Sequence, residues 1–121
     1  MKKIMIVDDD VEATSMLASI IKSAGYEPTS VNDSTVAVEA AKGSRPDLFL
    51  LDLMMPVIDG FKLCRMLRAE PEFNRIPIII ITALADMDSK VVAYGAGATD
   101  YITKPYLPKD LLQKIKDHLM Q

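Results

Sequence analysis

Residues 4–10 read Ile-Met-Ile-Val-Asp-Asp-Asp, and residues 48–52 read Leu-Phe-Leu-Leu-Asp. Each is a short, unbroken apolar run that stops at a carboxylate. A strand with one wetted face alternates apolar and polar residues, whereas a parallel strand covered by helices on both faces is apolar throughout. Ile76–Ile81 is a third such run, ending before Thr82. Tyr101-Ile102-Thr103, a weaker run, precedes Lys104-Pro105, and the segment around Pro28–Val31 is the poorest strand candidate.

Helical patterns fill the gaps. Val11–Ala24 places Met16, Leu17, Ile20 and Ile21 on a two-residue-wide apolar stripe, with Gly25 suited to the position after the helix. Asp33 or Ser34 is expected to cap a helix over Thr35–Lys42 that ends at Gly43. Gly60–Ala69 carries Phe61, Cys64 and Leu67 on one side, and Pro71 stops the pattern. Asp86 or Asp88 suits the cap of a shorter helix reaching Tyr94, followed by Gly95 and Gly97. Pro108 fits the first turn of a last helix bearing Leu111, Leu112, Ile115 and Leu119. The order is β-α, about five times over. Parallel strands need crossovers, and right-handed crossovers build an open α/β sheet with helices on both faces.

The bulk composition is consistent with this. The 121 residues fit one domain, 1–121, and 50 % of them are hydrophobic, enough to fill a single core. Lys and Arg number 14 against 17 Asp and Glu, a formal charge of −3, so no basic stripe for nucleic acid is expected. The single cysteine, Cys64, has no partner within the chain, which points to a reducing compartment and a cytoplasmic protein. The apolar run after Lys2 and Lys3 is too short for a secretion signal or a membrane span. The chain ends at Gln121, soon after the last helix, so the domain is expected either to stand alone or to have been separated from an effector domain.

In an open α/β sheet, ligands bind outside the carboxyl ends of the strands. There the sequence supplies Asp8, Asp9 and Asp10 after the first run and Asp52 after the second. Thr82 and Ala83 follow the third, and Lys104 and Pro105 the fourth. Carboxylates gathered on one edge repel one another unless a cation intervenes. Hard oxygen ligands select Mg²⁺ or Mn²⁺, and Mg²⁺ keeps room for waters and phosphate oxygens. A phosphate cradle after the first strand needs Gly-rich backbone NH groups, so three carboxylates there argue against dinucleotides and flavins.

Taken together, Ile-Met-Ile-Val-Asp-Asp-Asp at 4–10, Leu-Leu-Asp-Leu-Met-Met-Pro at 50–56, Asp59-Gly60, Ile-Ile-Thr-Ala at 80–83 and Asp-Tyr-Ile-Thr-Lys-Pro-Tyr at 100–106 resemble two-component response-regulator receiver domains, of the CheY-like superfamily. The resemblance covers essentially the whole chain. It implies a flavodoxin-like, doubly wound (βα)₅ fold with strand order 2-1-3-4-5. It makes Asp52 the phosphoacceptor and Asp9 a direct ligand of Mg²⁺, with Mn²⁺ an acceptable substitute. Asp8 would join directly or through water, and Asp52 and the Met54 backbone carbonyl would complete the protein ligands. Thr82 and Lys104 would contact the phosphoryl oxygens, with the Ala83 NH nearby, and the Lys104–Pro105 bond would be cis. Thr82 and Tyr101 would be the switch pair.

The implied donor is a histidine kinase or phosphotransfer protein, replaceable by small phosphodonors. The implied output is a reshaped face of the fourth helix, fifth strand and fifth helix that binds a downstream partner or an effector domain. No membrane, direct nucleic-acid contact or external substrate turnover is implied. Met54 stands where haloacid-dehalogenase-type enzymes carry a second Asp, which counts against a phosphohydrolase. Met54 and Leu84, both bulky and apolar, flank the expected approach of water, so slow self-hydrolysis is expected. Lys90, Asp100, Asp110 and Lys114 resemble a cross-subunit network of DNA-binding relatives. Val92 stands where those relatives often carry Arg, so a monomer or weak phosphorylation-linked dimer is expected, with these charges pairing internally or left to solvent. Asp10 and Asp59 read as helix caps, Cys64 as core and His118 as a favourable charge at a helix C-terminus.

Overall fold

The structure, a computed structural model, describes residues 1–120. Five strands, β1 (Lys3–Val7), β2 (Glu27–Val31), β3 (Leu48–Asp52), β4 (Ile78–Thr82) and β5 (Asp100–Thr103), alternate with five helices. These are α1 (Val11–Ser23), α2 (Ala37–Ser44), α3 (Gly60–Ala69), α4 (Met87–Gly95) and α5 (Pro108–Leu119). Every strand pair is parallel and the order is β2-β1-β3-β4-β5, the flavodoxin-like arrangement. The direction of winding reverses between β1 and β3, which opens a crevice at their carboxyl ends.

Side chains alternate between two cores. Met5, Val7, Phe49, Leu51, Ile78, Ile80 and Tyr101 face one layer with Ala41, Leu63, Cys64, Leu67 and Ala93. Ile4, Ile6, Leu48, Leu50, Ile79, Ile81 and Ile102 face the other, against Leu17, Ile21, Leu111 and Ile115 of α1 and α5. Burial on both faces explains why β1, β3 and β4 have no polar alternation. Each fully buried Leu or Ile contributes about 1.5–3 kcal/mol of transfer free energy. No described helix is long and apolar enough to cross a membrane.

The element bounds differ from the sequence reading in several places: Ala24 lies just past α1 and Gly95 lies inside α4 rather than after it. Gly43 lies inside α2, and the helix ends at Arg45, which takes a left-handed conformation with φ 53°. A 3₁₀ turn over Ser34–Val36, capped by Asp33, precedes that helix. Ile76 and Pro77 lie before β4, because the Ile76 NH donates back to Phe73 in the turn after α3. On α1 only Leu17 and Ile21 of the expected stripe are fully buried, and Met16 is exposed.

Candidate functional site at the carboxyl edge of the sheet

The two central strands end in acid. Asp8 follows Val7 at the tip of β1, Asp52 is the last residue of β3, and the paired register of Val7 with Leu51 sets those tips side by side. Carboxylate oxygens of Asp8, Asp9 and Asp52 lie within 4.8 Å of one another. Asp10 is not among them. Its side chain accepts from the NH groups of Glu12 and Ala13 and caps α1, as its position suggested. Asp59 likewise caps α3 through the Lys62 NH at 2.8 Å.

Lys104 brings the positive charge. Its NH donates to the Thr82 carbonyl at 2.8 Å, so the strand pairing of β4 with β5 fixes where it leaves the sheet. The Lys104–Pro105 bond is cis. Lys104 Nζ lies 3.7 Å from Asp8 Oδ2 and 3.9 Å from Asp52 Oδ1, which makes ion pairs but no close hydrogen bond. One ammonium therefore faces three carboxylates.

The imbalance shows in the protonation behaviour. Burial pushes Asp52 up to about 6, the charge of Asp8 adds to the rise, and Lys104 and the Leu53 NH oppose it. Asp8 is also raised, mainly by burial, against the opposing Asp10 NH and Lys104. A divalent cation bound by oxygen would relieve both effects, and three carboxylates in a half-open crevice suit Mg²⁺ in ligand type and number.

Thr82 ends β4 and is buried, one residue past the pairing of Asp52 with Ile81. Its Oγ1 accepts from the Leu84 NH at 3.3 Å. Tyr101 lies inward, and its hydroxyl donates to the Leu84 carbonyl at 2.5 Å. Leu84 thus touches both proposed switch residues, one through its NH and the other through its carbonyl. Lys90 Nζ sits 5.8 Å from the Tyr101 ring centre. The Met54 side chain is exposed at the start of the following loop.

Two tight contacts of α3 escaped the sequence reading. Gly60 packs so closely that a Cβ there would fall 2.4 Å from the Asp52 carbonyl oxygen. The Gly60 NH also donates to the Leu53 carbonyl at 2.9 Å, which ties α3 beneath the phosphoacceptor candidate. The Asp59-Gly60 pair was the available signal, read as a turn or helix cap and not as a close approach. Arg68 is the second. It donates to the carbonyls of Gly97, Phe73 and Ile76 and to Thr99 Oγ1, joining α3 to the segments that lead into β4 and β5, at the amino edge of the sheet. No charge pattern in the sequence marks it, because its partners are main-chain and hydroxyl oxygens.

His118 lies in the last turn of α5, as expected, and also has a partner the sequence reading did not name. Its Nε2 lies 2.8 Å from Asp100 Oδ2, and Lys114 Nζ lies 3.2 Å from the same carboxylate. The Asp100–Lys114 pair is therefore internal. Burial alone would raise Asp100, but the bonds from His118, Tyr101 NH and Lys114 outweigh it and hold the carboxyl below its usual range.

Comparison with known proteins agrees with this geometry. The family model described as response regulator receiver domain matches residues 4–116. The DNA-binding response regulator MtrA of Mycobacterium tuberculosis is 38 % identical over 118 residues, covering 98 % of this chain and 50 % of that protein. The chain thus spans about half the length of the curated relatives it matches. A crystal structure of a putative response regulator from Chloroflexus aurantiacus superposes with a TM-score of 0.94 at 33 % identity, covering 99 % of this chain and 98 % of that one. The receiver domain of a sensor histidine kinase from Pseudomonas aeruginosa, solved with a magnesium ion in its active site cleft, gives 0.91 at 31 % identity, with coverage of 99 % and 98 %.

Proposed function

The chain belongs to the response regulator receiver domain family, and on that premise we propose that residues 1–121 act as one phosphoacceptor domain that takes a phosphoryl group on Asp52. The observation that carries this reading is the meeting of Asp8, Asp9, Asp52 and Lys104 from three strand ends. The donor is a phosphohistidine of a histidine kinase or phosphotransfer protein. A carboxylate oxygen of Asp52 attacks phosphorus, the N–P bond breaks, and the imidazole leaves with the electron pair and takes up a proton from solvent.

Asp8 and Asp9, with Asp52 and the Met54 carbonyl, would hold Mg²⁺, which when bound offsets charge on the phosphoryl oxygens. Lys104 moves from its two carboxylates toward a phosphoryl oxygen, and Thr82 supplies a neutral donor. The product carries a charge of about −1.5 to −2 in place of −1. When the Thr82 hydroxyl turns to it, Leu84 NH loses its acceptor, the loop before α4 shifts, and the Tyr101 hydroxyl is released from the Leu84 carbonyl. That two-state shift reshapes the α4-β5-α5 face for the downstream partner or effector domain. The domain turns over no external substrate and works in the cytoplasm, with which a buried, unpaired Cys64 accords.

Incubation with a small phosphoramidate donor and Mg²⁺ tests the reading. Wild type should be labelled and Asp52→Ala should not. Equal labelling of the two would sink the assignment.

A further inference from the structure

The acidic loop after β1 is gripped from the side by an uncharged residue. Main-chain pairing between β1 and β2 closes with the Asp8 NH donating to the Val31 carbonyl at 3.1 Å. The next residue, Asn32, carries the contact one group further through its side chain. Its Nδ2 donates to the Asp8 carbonyl at 2.8 Å and to Thr14 Oγ1 at 3.0 Å. Thr14 is buried in the first turns of α1, and its own hydroxyl proton goes to the Val11 carbonyl at 3.0 Å. The threonine therefore offers Asn32 only a lone pair, and so does the Asp8 carbonyl.

Those two acceptors fix the chemistry required at position 32. One uncharged nitrogen with two hydrogens satisfies both. Aspartate has the same shape, no donor, and a negative charge beside Asp8. Leucine has the same size and neither donor nor charge. Because Asp8, Asp9 and Asp10 are consecutive, a clamp on the Asp8 main chain and the first turn of α1 sets where all three side chains leave the loop. Asp10 caps α1 and its NH donates to Asp8 Oδ1 at 3.0 Å, so a shift of the Asp8 main chain moves this bonded loop together, with the exposed Asp9 between the two.

We infer that Asn32 is a positioning residue for the cation site: it locks the Asp8 carbonyl to Thr14 and so holds Asp8 and Asp9 in the arrangement that binds Mg²⁺. The inference rests on the reading of Asp8, Asp9 and Asp52 as that site. Groups that orient metal ligands without touching the metal commonly change affinity by about 10–100-fold when lost. Asn32 acts through main chain on the surface, so the lower end of that range applies.

The test is Mg²⁺ titration of the full chain by heteronuclear NMR, for wild type, Asn32→Leu, Asn32→Asp and Thr14→Val, with melting curves in EDTA and in Mg²⁺. Asn32→Leu should weaken Mg²⁺ about tenfold, and Asn32→Asp should not restore it. Thr14→Val, which removes one of the two acceptors, should weaken it less. The rise in melting temperature that Mg²⁺ gives depends only on its concentration relative to Kd, so it should shrink in the variants. A brace that merely held the fold together would lower both curves and leave their separation unchanged. If Asn32→Leu does not fold, Thr14→Val and Asn32→Asp decide. Wild-type affinity in the folded variants overturns the role of Asn32 and leaves the Mg²⁺ site standing. Failure of wild type itself to bind Mg²⁺ overturns both.

Discussion

Replacing Asp52 by Asn should make the metal-free protein more stable, although it removes the proposed phosphoacceptor. Asp52 is only 13 % exposed in its side chain and shares the crevice with Asp8 and Asp9. Burial, then the charge of Asp8, raises it from an ordinary 3.8 to about 6. The native fold therefore binds this proton more tightly than the unfolded chain does. Stability falls as pH rises from 3.8 to about 6 and stays lower above that window. The gap of 2.2 pH units between those two values, at 1.36 kcal/mol per unit, gives about 3 kcal/mol.

Asparagine keeps the shape and the acceptor for the Leu53 NH without the charge, and Lys104 retains Asp8 at 3.7 Å. A gain of about 2–3 kcal/mol at neutral pH follows. With an unfolding entropy of about 2.1 cal/mol/K per residue, 121 residues convert this to roughly 8–12 °C. Thermal unfolding followed by circular dichroism in EDTA, at about pH 7.5 and about pH 4, measures it. The two proteins should separate at the higher pH and converge at the lower. An Asn variant that melts at or below wild type at pH 7.5, or a gap of the same size at pH 4, would refute the reasoning.

Three further outcomes follow from the loops around the site. Val57, a β-branched residue, sits at φ 69° in a γ-turn closed by the Ile58 NH on the Pro56 carbonyl at 2.8 Å, so Val57→Gly should raise stability by about 1 kcal/mol in urea unfolding. Gly60→Ala places a Cβ 2.4 Å from the Asp52 carbonyl oxygen and 2.8 Å from Leu53 Cα; it should destabilise by about 2–3 kcal/mol in the same assay and slow phosphoryl labelling, because the atoms that must yield are the main chain of the proposed phosphoacceptor and of the residue after it. Met54→Asn substitutes a polar group for an exposed apolar one beside the expected water approach, and the phosphoryl lifetime should shorten several-fold; an unchanged lifetime counts against apolar shielding.

The legible parts of the fold were those under the strongest hydrophobic constraint. β1, β3 and β4 stand out because both faces are buried, and the carboxylates that end β1 and β3 mark the candidate site. β2 was faint because it is an edge strand, where Pro28 is tolerated and only Val31 is fully buried. The end of α2 was misplaced because a glycine is only one way to leave a helix, and Arg45 takes the left-handed conformation instead. Asp8, Asp9, Asp52, Thr82 and Lys104 were picked out by motif as site candidates. Asn32, Arg68 and the close approach of Gly60 were not, since each acts on main-chain atoms whose positions only the folded chain defines. The contact of His118 with Asp100 was missed for a similar reason: the two lie eighteen residues apart in sequence.

The central claim is that Asp52, rather than Asp8 or Asp9, accepts the phosphoryl group. Peptide mapping by mass spectrometry after phosphoramidate treatment measures this directly. One acid- and base-labile phosphoryl group should appear on Asp52 in Mg²⁺ and be absent in EDTA. A label on Asp8 or Asp9, or an equal yield without divalent cation, would contradict the account.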